Sequence, residues 1–131
     1  MDKPHKRLEV WQMSVHLVVE VYRLTSAYPD AERYGLISQM RRAAVSVASN
    51  IAEGAARQTK KEFANFVHIA RGSLSELDTQ VEISRRLGYL ASQAIPLLED
   101  MMQRIDQMLA GLLRKLRATI SSNVSRLPSN V

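Results

Sequence analysis

From Leu8 onward, apolar residues recur at three- and four-residue steps, the period of helices that bury one face. Four runs show it. The first, about residues 8–27, aligns Leu8, Trp11, Val15, Val18 and Tyr22 in one stripe. Tyr28-Pro29-Asp30 ends it, because a residue before proline disfavours the α region. The second, about 36–55, carries Leu36, Met40, Ala44, Val47 and Ile51, and Gly54 marks its C-terminal end. The third, about 60–87, opens on Thr59-Lys60-Lys61-Glu62, which has the form of a capping box. Its core face reads Phe63, Phe66, Val67, Ala70, Leu74, Leu77, Val81 and Leu87, and Gly88 suits the stop. The fourth, about 93–117, follows Ser92 as N-cap and holds Pro96 in or next to its first turn, where the missing N–H costs little. Leu98, Met101, Ile105, Met108, Leu112 and Leu116 form its stripe. From Thr119 the helical period is lost.

Short connections make consecutive helices antiparallel. The expected fold is therefore all-α, an up-down-up-down four-helix bundle over residues 1–117 with a flexible tail over 118–131.

One stripe breaks the apolar rule. Ser46, Asn50 and Glu53 stand at i, i+4 and i+7 and share a face of the second helix. Pairing the second and third helices across their loop puts Ser46 near Gly72 and Ser73, where the bare Gly72 would allow close backbone approach. The same pairing puts Arg42 near Glu76 and Asn50 near Phe66 and Val67. Arg42, Ser46, Asn50, Glu53, Ser73 and Glu76 thus form a polar stripe that suits a tight helix contact within or between subunits. It reads either as a network fixing helix register or as a ligand- or RNA-contacting site.

Charge changes the picture more than bulk composition does. The net charge is +5, yet residues 8–100 hold 10 basic and 11 acidic groups. The excess lies in residues 1–7, with 3 basic and 1 acidic, and in 101–131, with 5 and 1. An up-down-up-down bundle brings both chain ends and the loop between the second and third helices to one pole. That pole gathers Lys3, Lys6, Arg7, Arg57, Lys60, Lys61, Arg114, Lys115 and Arg117 against Asp2, Glu9, Glu53 and Glu62. The opposite pole sets Arg33, Arg41, Arg42, Arg85 and Arg86 beside Asp30, Glu32, Glu99 and Asp100, close to balance. The basic pole, through Lys6, Arg7, Arg57, Lys60, Lys61, Arg114, Lys115 and Arg117, is a candidate RNA- or DNA-phosphate surface, or a seat for an acidic protein.

Other chemistries find no residues. The chain has no cysteine, so no disulfide or thiolate site, which agrees with a reducing cytoplasm. His5, His16 and His68 lack ligand-spaced partners, the Glu-x-x-His pairs of di-iron bundles are absent, and there is no phosphate-binding G-x-x-x-x-G-K-[ST] loop. No nucleophile and base are arranged together. The expectation is a non-enzyme without cofactor or metal. Met101, Met102 and Met108 read as core filler. The longest uncharged run, Leu87 to Leu98, is twelve residues and includes Pro96, too short to span a membrane.

The residues also carry a resemblance. Leu8-Glu9-Val10-Trp11, Glu32-Arg33-Tyr34-Gly35-Leu36, the S-x-x-x-N-I-A-E-G run from Ser46 to Gly54, and Ala70-Arg71-Gly72-Ser73-Leu74-Ser75-Glu76-Leu77 together resemble the four-helix bundle family encoded in 23S rRNA intervening sequences, over about residues 8–116. That family includes accessory proteins of diversity-generating retroelements. The resemblance implies a non-enzymatic bundle assembling as a homopentamer. In the retroelement branch it implies a basic nucleic-acid-binding scaffold that joins a reverse transcriptase.

Overall fold

A computed structural model describes residues 1–125. A 3₁₀ turn at Pro4–Arg7 leads into α1 (Glu9–Thr25). A second 3₁₀ turn at Asp30–Glu32 precedes α2 (Leu36–Ala55), and α3 (Lys60–Leu87) and α4 (Ala94–Ser125) follow. The fold is the all-α four-helix bundle that the periodicity predicts. One apolar cluster runs its length, built from Leu17 and Val21 of α1, Met40, Val47 and Ile51 of α2, Val67 and Leu77 of α3, and Leu98, Ile105 and Leu109 of α4. Tyr28 and Leu90 close it at the end away from the chain termini.

α1 turns a different face inward from the one its apolar stripe suggests. The buried positions are Val10, Ser14, Leu17, Val21 and Thr25. Trp11, Val15 and Val18 are half-buried and Tyr22 is exposed. The reason is hydrogen bonding. The Ser14 hydroxyl donates to the Val10 carbonyl at 2.7 Å, and the Thr25 hydroxyl to the Val21 carbonyl at 2.7 Å. Each polar group is satisfied within its own helix and can enter the core without an orphan donor.

α2 buries Leu36, Met40, Ala44, Val47 and Ile51 as expected. Gly54, however, does not end the helix by backbone conformation. It is buried inside the last turn, and the residue that follows the helix, Ala56, keeps a right-handed φ of −87°. A Cβ on Gly54 would lie 2.8 Å from Phe63 Cδ1 and 2.8 Å from Phe66 Cβ. The glycine is where α3 comes closest to α2. Gly72, the residue expected to allow such an approach, faces open space instead.

α3 begins at its capping box. The Thr59 hydroxyl accepts from the Glu62 amide at 3.1 Å and donates to the Glu62 carboxylate at 2.9 Å. It ends at Gly88, whose φ of +77° is the left-handed conformation that glycine accepts freely. There the Tyr89 amide reaches back to the Ser84 carbonyl at 3.0 Å. Leu87, expected in the core, is 53% exposed, while Gln80 and Ser84 are buried in its place. Ser84 is satisfied by the Gln80 carbonyl at 2.8 Å.

In α4 the inward residues are Leu98, Met102, Ile105, Leu109, Leu113 and Leu116. Met101, Met108 and Leu112 lie half-buried beside them. The helix continues through Thr119 to Ser125, past the point where its apolar period fails. Residues 118–125, assigned to the tail on sequence, are helical, and the remainder of that tail lies outside the described residues.

Gly54→Ala supplies a sharp test of the α2–α3 contact. Alanine favours an ordinary helix interior by up to about 1 kcal/mol over glycine. Here the two phenylalanines must shift, and overpacking of this kind costs about 1–3 kcal/mol. Urea unfolding should show Gly54→Ala less stable than wild type; a more stable variant would refute the close approach.

Candidate nucleic-acid interface

Helix register decides which cations meet. Arg71 holds Asp106 with two bonds, Nε to Oδ1 at 3.0 Å and Nη2 to Oδ2 at 3.4 Å. Followed along antiparallel helices, that pairing brings Lys60 at the start of α3 opposite Arg117 of α4. The 3₁₀ turn adjoins the same place: Pro4 and Leu8 share a small cavity with Ala55, Arg57, Lys60 and Phe63. Lys6, Arg7, Arg57, Lys60, Lys61, Arg114, Lys115 and Arg117 are all exposed at this end, together with Lys3.

The pole is poor in compensation. Among the described residues, its one ion pair is Arg7 with Asp2 at 2.8 Å, both ends more than 70% exposed. Such a pair is worth about 0–1 kcal/mol and yields readily to a phosphate. Lys6 donates to the Met1 carbonyl at 2.6 Å, which leaves its charge intact. Glu62 is engaged by Thr59, and Glu9 and Glu53 are exposed without an ion pair. Arg57 lies over the Phe66 ring at 4.7 Å, a cation–π contact that orients the guanidinium and leaves its N–H edges outward.

At the opposite pole three of the five arginines are held by their neighbours. Arg85 and Arg86 both bind Glu82, at 2.6 and 2.8 Å. The hydrogen bond from Arg85, then that from Arg86, holds the Glu82 carboxyl down to about 2, so it stays ionised at every ordinary pH. Arg41 donates to the Thr25 hydroxyl at 3.0 Å and lies 4.4 Å over the Tyr22 ring. Glu32 accepts from Tyr89 at 3.1 Å and from the Leu36 amide at 3.4 Å. The hydrogen bond to Glu32 pushes the Tyr89 phenol up. Sequence set these arginines beside Asp30, Glu32, Glu99 and Asp100; Arg85 and Arg86 pair instead with Glu82 of their own helix.

Half of the polar stripe is a network and half is solvated. Ser46 Oγ meets Ser73 Oγ at 2.8 Å, and Asn50 Nδ2 donates to the Ser46 carbonyl at 2.8 Å and hydroxyl at 3.0 Å. All three residues are half-buried; the Ser46–Ser73 bond joins α2 to α3, and Asn50 holds Ser46 from within α2. Arg42, Glu53 and Glu76 are exposed. Arg42 and Glu76, expected as neighbours, form no ion pair, and Glu76 instead accepts from Gln80 at 3.3 Å.

Two features escaped the sequence. One is a groove of about 610 Å³ between α3 and α4, spanned by the Arg71–Asp106 pair and open above Gly72. The other is the small cavity at the basic pole, whose walls come from residues distant in sequence. The spacing of Pro4 and Leu8 gives no sign that they meet Phe63.

A family model for the 23S rRNA-intervening sequence protein matches residues 6–111. The chain belongs to that family. A solved structure agrees in fold: a protein of unknown function from the S23 ribosomal protein family of Bacteroides thetaiotaomicron VPI-5482 superposes with a TM-score of 0.74 at 20% identity. The match covers 80% of this chain and 95% of the other. No curated protein matches the sequence. The intervening-sequence family segment takes in α1, α2, α3 and most of α4. It stops before Arg114, Lys115 and Arg117, so three cations of the basic pole lie beyond it.

Asn50→Leu removes both bonds to Ser46 and leaves the carbonyl to its helix partner. A net loss of about 1 kcal/mol is expected in chemical denaturation. An unchanged midpoint would show that the Asn50 bonds within α2 add nothing to stability.

Proposed function

We propose that this family member is a non-enzymatic, self-assembling helical bundle that binds RNA or DNA through its basic pole in the cytoplasm, pentameric as the family resemblance implies. The observation that carries the reading is the convergence of eight exposed cations on one end with a single exposed ion pair among them, while at the other end Glu82 pairs with both Arg85 and Arg86. Phosphate binding needs charge and reach rather than base-reading geometry. The pole offers that from α3, α4, the α2–α3 connection and a 3₁₀ turn.

Self-assembly draws on a second surface. Val19 is 62% exposed, Tyr22 43% and Val45 39%. Arg41 stacks on Tyr22, and Val45 follows Arg41 by one turn of α2, so these residues share the α1–α2 face with half-buried Val15 and Val18. An apolar face of this kind on a small protein marks a protein contact. A cyclic assembly with parallel bundle axes would repeat the basic pole around a ring. Light scattering at micromolar concentration should give an oligomer; a monomer there would remove the assembly part of the proposal.

Binding should fall steeply with salt. If about six phosphates are engaged, affinity drops by roughly 10³-fold between 50 and 200 mM salt. Arg57→Glu, Lys60→Glu and Lys61→Glu together should abolish electrophoretic retention of duplex and structured RNA, with circular dichroism and oligomeric mass unchanged. Wild-type levels of retention by the triple variant would refute the basic pole. No retention of any nucleic acid by wild type at 50 mM salt would leave the pole to an acidic protein partner.

A further inference from the structure

The cavity at the basic pole has a chemistry that phosphate binding alone does not require. It measures about 220 Å³. Pro4, Leu8, Ala55 and Phe63 give it an apolar floor that includes an aromatic ring, and Arg57, Gln58, Thr59 and Lys60 of the α2–α3 turn give it a polar rim with two cations. The volume is below the roughly 300–1,000 Å³ of pockets for drug-sized ligands, so it holds one flat ring system and little more.

We propose that this cavity receives the unpaired base of a looped or single-stranded nucleic acid whose flanking phosphates are held by Arg57 and Lys60. The inference rests on the nucleic-acid reading of the pole and narrows it. An apolar slot contributes nothing to a paired base, because a base inside a duplex is stacked and out of reach. A splayed base buries its faces against aliphatic and aromatic side chains and keeps its phosphate outside. The geometry matches that division. Phe63 is fixed by its contact with the bare Gly54 backbone, and the Arg57 guanidinium is held over Phe66 rather than swinging free. Apolar floor and cationic rim are thus both pre-set.

The test compares three fluorescein-labelled 12-nucleotide probes by anisotropy at about 100 mM salt: single-stranded RNA, an oligomer of equal phosphate number in which every residue is abasic, and a duplex. Wild type should bind the single strand at least about fivefold more tightly than the abasic oligomer, the low end of what one stacked base contributes. Ala55→Leu fills the slot from its floor and should bring that ratio to about one, with duplex and abasic binding unchanged. Pro4→Leu fills it from the exposed wall, away from the core, and should do the same if Ala55→Leu misfolds by circular dichroism. Equal wild-type affinity for the base-bearing and abasic strands refutes the slot and leaves the basic pole standing. A ratio that survives a folded slot-filling variant refutes it too. Failure of wild type to bind any probe, repeated at 50 mM salt, overturns both the pole and the slot.

Discussion

No side chain fits at position 54. The α2 backbone there lies against Phe63 and Phe66, and much of the basic end depends on that closeness. Because the helices touch at the turn, the connection is short, running from Ala56 to Thr59. Thr59 can then cap α3 at once, and the helix begins with Lys60 and Lys61 on its first turn. The same contact presents the Phe66 ring beneath Arg57. Three of the pole's cations are therefore positioned by one glycine. Farther along the same pair of helices, Ser46 and Ser73 meet at 2.8 Å, so small residues keep α2 and α3 close over several turns. A leucine in any of these places would separate the helices and widen the turn.

The two ends differ in how charge is handled, and the difference is local. At the far end Arg85 and Arg86 have Glu82 one helical turn away, and Arg41 spreads over an aromatic ring and a backbone oxygen. At the basic end the sequence gives no such neighbours. Arg114, Lys115 and Arg117 have no acid within four residues on their own helix, and Lys60 and Lys61 have only Glu62, which serves the cap. Ring closure, if it occurs, adds like charge to like charge, which a bound polyanion would relieve.

Helix existence was legible because each α-helix carries a sustained 3.6-residue period. The start and stop of α3 were legible because Thr59 and Gly88 have specific backbone chemistry. The face of α1 was not. Counting apolar residues selects Trp11, Val15, Val18 and Tyr22, but a hydroxyl that bonds to the carbonyl one turn back costs little to bury, so Ser14 and Thr25 went inward. The outer stripe then became a surface feature, and it is the one the assembly reading now uses. Leu87 misled for a related reason: the last turn of α3 puts Ser84 inward, its hydroxyl bonded to the Gln80 carbonyl, and Leu87 falls outside. Gly54 makes the close approach expected of Gly72, because sequence cannot say which glycine faces a neighbour. The basic pole was visible once topology was assumed, since it follows from which ends are shared. Its cavity was not, since Pro4, Leu8 and Phe63, which line it together, are far apart in sequence.

The continuation of α4 limits what can lie on the pole. In the register set by Arg71 and Asp106, Arg117 is opposite Lys60, so residues 118–125 extend about 12 Å past the start of α3. A rigid rod cannot lie flat across a surface from which a helix projects. It must pass to one side and forgo part of the cationic area. A flexible strand can bend around the projection and engage Arg114, Lys115 and Arg117 on α4 as well as Arg57 and Lys60 at the turn. Of the nucleic acids the charge alone would accept, the shape of this end therefore favours those that bend or open, which is also the form in which a base is free to enter the cavity between Pro4 and Phe63.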